Sequence, residues 1–197
     1  ERTIARWYTM YATIIQCRSW LPNEIGGVFW YGVDDNYTNV YVPLYCGISY
    51  PPPSSQGYSI AEFSLNSAFW VFNLVANLAY TKYFYILKDI QNVQNKLEEK
   101  FYAFQSAVEK AALELYNKDK KLAIDYLTDY SVSQFELTVN EWRKLWESLV
   151  VKYNDGYIND VNIEHGRKPK GVGYGNEFFQ RVIKERPGYY DVKMRKK

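Results

Sequence analysis

Gln16-Cys17-Arg18-Ser19-Trp20-Leu21-Pro22-Asn23-Glu24-Ile25-Gly26-Gly27-Val28-Phe29-Trp30-Tyr31-Gly32-Val33 joins two strand-like runs through a Pro- and Gly-bearing break. Its opening residues end a run from Trp7 to Arg18 that is rich in Tyr, Thr, Ile and Trp. Such side chains suit a pleated, half-buried surface, so the run predicts a strand. Leu21-Pro22-Asn23-Glu24 breaks that strand, and Gly26-Gly27 leads into Val28 to Val33, a second apolar run of strand length. The two together predict a long hairpin.

Working outward, Asp34-Asp35-Asn36 has turn chemistry, because short Asx side chains bond their own backbone and tolerate left-handed conformations. A third strand is predicted from Val40 to Tyr45, with Pro43 placing it at an edge or a bulge because proline cannot donate to a ladder. Tyr50-Pro51-Pro52-Pro53-Ser54-Ser55-Gln56-Gly57 reads as an extended connector. Beyond it the period changes to that of helices. Ser64 is a candidate N-cap ahead of Ala68, Phe72, Val75, Ala76 and Ala79, and a second helix is predicted from about Leu87 to Tyr116 with Leu97, Phe101, Phe104, Val108, Ala111 and Leu115 on one stripe. A short helix from Leu122 to Leu127 is expected to meet Thr128 and Ser131, with a longer one following. In that one Phe135, Val139, Trp142, Trp146, Leu149 and Tyr153 alternate steps of four and three. Asn154-Asp155-Gly156 ends it. The expected organisation is a strand segment at 1–50, a connector at 51–63, a helical block at 64–156 and a polar, Gly-rich tail at 157–197 with one short helix at Asn176 to Glu185.

Composition narrows the function classes. Lys plus Arg exceed Asp plus Glu by only 24 − 22 = 2, a field too weak to argue for a nucleic-acid partner. The basic end Lys193 to Lys197 has no matching basic helix, so it reads as a solvated terminus. No apolar run approaches the roughly 20 residues of a membrane-spanning helix, since Asn73 and Asn77 interrupt the best one. The 20 tyrosines imply cores with damp edges or a large interface.

The catalytic possibilities are equally narrow. Cys17 and Cys46 are too few for a disulfide scaffold and too far apart for a zinc knuckle, and both are expected to be reduced and buried inside strands. The single histidine, His165, lies in a loop-like stretch with no apolar frame to hold a general base. Metal ligands of the imidazole or thiolate kind number three and are scattered, so no metal and no cofactor are expected. Gly171-Val172-Gly173-Tyr174-Gly175 has the look of a phosphate-cradling loop, but Arg167-Lys168-Pro169-Lys170 stands where a dinucleotide site wants a strand.

A more specific signal lies in motif order. Tyr8-Thr9-Met10-Tyr11, Gln16 to Gly27, Trp30-Tyr31-Gly32, Tyr41-Val42-Pro43 and Tyr45, then Ala68-Phe69-Trp70, Asn73, Ala76-Asn77, Trp142, Leu145 and Leu149, resemble the carboxy-terminal third of the cysteine-type dipeptidases. The resemblance extends to about Gly156. It implies the N-terminal-nucleophile superfamily of penicillin V acylase and bile salt hydrolase. The fold class so implied is α+β, with antiparallel strands contributing to a four-layer αββα fold, followed by a helical block. The implied chemistry is dipeptide hydrolysis by a processed amino-terminal Cys whose own α-amine is the base, with no need of His or metal. This chain begins with Glu1, so neither Cys17 nor Cys46 fits that nucleophile. The expectation is therefore a carboxy-terminal fragment that is inactive alone, its nucleophile lying in an amino-terminal portion outside this chain. Arg2 or Arg18 matches the auxiliary guanidinium that lies near the nucleophile in the related acylases. Implied partners are that amino-terminal portion, dipeptide substrates in the intact enzyme and, as a candidate, a second copy in a homo-oligomer. A rival reading is a non-catalytic α+β binding or assembly module whose aromatic helices present a partner surface.

Overall fold

The computed structural model describes residues 5–57, 60–162 and 166–189. The fold is α+β, and the chain divides into two compact units, residues 1–151 and 152–197. The first unit is built on three antiparallel strands, β1 (Tyr11–Cys17), β2 (Gly27–Val33) and β3 (Val42–Tyr45), in the order β1-β2-β3. Tyr11 faces Val33 and Cys17 faces Gly27 across the first ladder, while Val28 faces Tyr45 across the second. A four-residue helix, α1 (Asn23–Gly26), fills the β1–β2 connection and starts directly after Pro22, whose carbonyl accepts the N–H groups of Ile25 and Gly26. The two glycines that follow have a steric reason. A Cβ on Gly26 would lie 2.6 Å from the Arg18 carbonyl oxygen, and one on Gly27 would lie 3.0 Å from Cys46 Sγ.

Three helices pack against this sheet: α2 (Ala68–Ala79), α3 (Tyr83–Tyr116) and α4 (Lys120–Tyr153), the last two of 34 residues each. Alternation along the strands sends Gln16, Val28, Trp30 and Tyr45 to the α3 side. There Trp30 packs on Tyr102 with ring centroids 5.0 Å apart, and Gln105 Nε2 donates to Gln16 Oε1 at 2.8 Å. Phe72 of α2 stacks on the buried Trp142 of α4 at 5.1 Å. The opposite face is covered only in part: Tyr31 stacks on Phe135 of α4 with ring centroids 6.2 Å apart and Val33 is buried, while Tyr11 is 61% exposed and Ile15 66%. Strand β1, at the sheet's outer edge, is exposed along most of its length. Among the described residues no helix is long and apolar enough to cross a membrane.

Several local expectations are corrected. α3 starts at Tyr83 rather than Leu87, and its buried stripe is Ile86, Ile90, Leu97, Phe101, Val108 and Ala112, leaving Phe104 in solvent. α4 is one helix, unbroken at Thr128 and Ser131. Those hydroxyls are acceptors for loose backbone donors instead: Ser131 Oγ takes the Tyr45 N–H at 3.2 Å and Thr128 Oγ1 the Ser49 N–H at 3.0 Å. They satisfy the outer side of β3, whose Pro43 offers no donor. The N-cap of α2 is Ser67, while Ser64 closes a local turn by accepting the Asn66 N–H at 3.2 Å.

In the second unit a turn at Asn154–Gly156 leads into an antiparallel hairpin of β4 (Tyr157–Asn162) and β5 (Gly166–Gly171), then helix α5 (Gly175–Glu185). The sequence signals only the helix, because the strands are polar and the hairpin has no apolar alternation to read. Asn159 is buried and donates through Nδ2 to Asn154 Oδ1 at 3.1 Å.

Candidate functional site

Arg18 extends the β1 ladder by one residue, its N–H reaching the Gly26 carbonyl at 3.1 Å. Its guanidinium points to the helical side, where Nη1 pairs with Glu109 of α3, Nη2 donates to the Ile25 carbonyl at 3.1 Å and Nε to the Gly26 carbonyl at 3.3 Å. Glu109 Oε1 also accepts the Tyr45 hydroxyl at 3.1 Å, and burial followed by that carboxylate raises the Tyr45 pKa. Both partners of the Arg18–Glu109 pair are well buried, with side chains 9% and 13% exposed. The arrangement ties the end of α1 to the last third of α3. The other auxiliary candidate, Arg2, lies outside the described residues, as do His165 and Lys193 to Lys197.

The two cysteines are free and exposed, which corrects the expectation that they are buried. Cys17 faces Gly27 across the first ladder, and the Cys46 N–H bonds the Gly27 carbonyl at 2.9 Å, so the two residues flank one glycine. Partial burial, then the neighbouring Cys17, push the Cys46 thiol pKa up. A raised pKa opposes the thiolate that nucleophilic attack needs. Among the described residues neither thiol has a hydrogen-bond partner, so no base stands beside either.

A third feature escaped the sequence reading. Asp34 and Asp35, read as turn residues, are each only 2% exposed. Asp34 adopts φ 64°, accepts Asn73 Nδ2 from α2 at 3.2 Å through Oδ1 and leaves Oδ2 buried without a partner. Burial, opposed by the bonds from Asn73 and the Asp35 backbone and reinforced by the charge of Asp35, raises its pKa to about 6. The unpartnered oxygen is where the proton of the neutral acid would sit. Asp35 is held by the Tyr37 N–H at 2.9 Å and by a short bond from the Tyr80 hydroxyl. Nearby, the Asn39 amide is buried without hydrogen bonds and fills the place a Cβ on Gly32 would take, 2.5 Å from Asn39 Nδ2. The available signal was an acidic pair directly after an apolar strand with Asn73 and Tyr80 on the following helix. No periodicity marks such a contact.

Among the described residues no group of three or more His, Cys, Asp or Glu is placed to hold a metal ion. The glycine run is preceded by a strand after all, β5, in a polar exposed hairpin. Nothing lies within 4 Å of a Cβ built on Gly171, Gly173 or Gly175, and Gly175 has φ 77°, so the glycine there serves the turn into α5.

Residues 2–96, which include all three strands of the first sheet and α2, match the model of Peptidase family C69. Over those residues the chain is similar to that peptidase family. Over 70 residues it is 36% identical to dipeptidase A of Lactobacillus helveticus, a stretch that covers 36% of this chain and 14% of that protein. The chain thus matches a small part of its curated relative's length. The family-matched residues 2–96 include those that build the sheet, the Arg18 turn and the Asp34-Asp35 corner.

Proposed function

We propose that this chain is the carboxy-terminal portion of a cysteine-type dipeptidase, supplying strands β1 to β3 to one sheet of a four-layer αββα N-terminal-nucleophile fold. The attacking thiol comes from the amino-terminal portion of the same parent polypeptide. The observation that carries this reading is the coincidence of the matched stretch with a sheet whose outer strand is open, Tyr11 and Ile15 both standing in solvent. An unpaired edge beside an apolar face invites further strands. In this reading residues 1–50 complete the sheet, 51–63 connect, 64–156 brace it, and Arg18 positions the sheet's turn through Glu109 while Arg2 stays a candidate for the guanidinium near the nucleophile.

The parent polypeptide should hydrolyse dipeptides and lose that activity when its processed amino-terminal Cys is replaced by Ser, while the 197-residue chain alone should give no turnover. Hydrolysis by the isolated chain that disappears on replacing Cys17 and Cys46 by Ser would overturn the proposal. A second reading, a non-catalytic α+β assembly module, draws on the closed core of the first unit, in which Phe72, Phe101, Phe135 and Trp142 are all buried. A parent without peptidase activity would favour it.

A further inference from the structure

On the side of the sheet that carries Tyr11 and Tyr31, a cleft of about 190 Å³ runs between β1–β2 and the start of α2. One wall is apolar, made by Tyr11, Tyr31, Val33 and Phe69, and the other end is the first turn of α2, at Ser67 and Ala68. The N-cap residue Ser67 makes no capping bond, and the first turn of α2 carries no acidic residue. The N–H groups of Ala68 and Phe69 have no partner among the described residues, the first intrahelical bond being Val71 N–H to the Ser67 carbonyl. A helix start in this condition carries a partial positive charge and aimed donors. A second observation is the burial of that side chain at the cleft: Ser67 is only 3% exposed, lines the cleft and has no hydrogen bond from its hydroxyl. Ser54 and Ser55, also in the lining, donate their hydroxyl protons elsewhere, to Glu136 Oε1 and the Pro52 carbonyl, which leaves their oxygens as acceptors.

We infer that this cleft binds the carboxyl-terminal residue of a dipeptide with an apolar side chain there. The free carboxylate lies against the N–H groups of Ala68 and Phe69 and the Ser67 hydroxyl, the side chain against Tyr11, Tyr31 and Val33. Size limits the occupant, since the volume is below the roughly 300 Å³ at which drug-sized sites begin, enough for one residue and not for a folded partner. That the carboxylate is the free end of a substrate rests on the dipeptidase reading; the preference of the cleft for a carboxylate does not.

The test is titration of the ¹⁵N-labelled 197-residue chain with alanyl-phenylalanine and, separately, with its carboxamide. Saturable shifts of the Ala68 and Phe69 amides are expected with the acid, and binding at least about tenfold weaker with the carboxamide, which lacks the charge for those hydrogen bonds. Ser67→Asp would put a carboxylate of the chain's own on the same donors, so it should raise the thermal midpoint while abolishing the shifts. Equal affinity for acid and carboxamide, or no shift at residues 68 and 69, would overturn the inference. Carboxylate-selective binding in a parent without peptidase activity would sink the dipeptidase reading alone, and an active parent without such binding would sink this inference alone.

Discussion

Replacing Asp34 by Asn tests the physics of the buried corner most directly. The pKa of Asp34 rises from 3.8 to about 6, so as pH increases through this interval the unfolded chain gives up its proton before the folded one does. The folded state then binds more protons than the unfolded state, and stability falls between about pH 4 and about pH 6, staying lower above. Roughly two pKa units correspond to a penalty of about 3 kcal/mol at neutral pH. The residue is 2% exposed, so solvent screening removes little of this. Asparagine keeps the shape, tolerates the φ of 64° and retains an oxygen for Asn73 Nδ2. It also leaves one buried N–H₂ without an acceptor, at a cost of about 1–2 kcal/mol. The substitution should therefore stabilise the chain by about 1–2 kcal/mol near pH 8 and destabilise it by a similar amount near pH 4. Urea unfolding followed by tryptophan fluorescence across that range measures both. Parallel stability curves for native and variant chains, with no change of sign, would mean that Asp34 carries no such burial penalty.

Two further substitutions probe the turn after β1. Arg18→Ala should cost about 3–5 kcal/mol, because it strands the Glu109 carboxylate in a buried site, and Glu109→Gln should cost less by keeping acceptor and shape; equilibrium unfolding reads both, and equal small losses would place the pair among weak surface contacts. Gly26→Ala should destabilise by about 1–3 kcal/mol, since the new Cβ meets backbone at 2.6 Å, whereas Gly171→Ala, with open space around it, should change the melting temperature little.

Local chemistry written along the chain determined a good deal. Apolar runs bounded by Pro22 and Gly26-Gly27 marked the strands, Pro43 marked an edge, and the spacing of Phe72, Phe101 and Trp142 marked helices with one buried face, because these signals depend on period and backbone freedom alone. The motif order from Tyr8 to Tyr45 likewise carried the dipeptidase relation. Contacts between residues far apart were not written there. Thr128 and Ser131 read as helix punctuation, yet their hydroxyls accept unpaired N–H groups beside β3; Asp34 read as a turn residue, yet Asn73 of α2 holds it buried; and nothing in the sequence pairs Arg18 with Glu109, 91 residues away. Only the tertiary structure decides such pairings, because a polar side chain's role is fixed by which partner desolvates it, and that partner comes from another part of the chain.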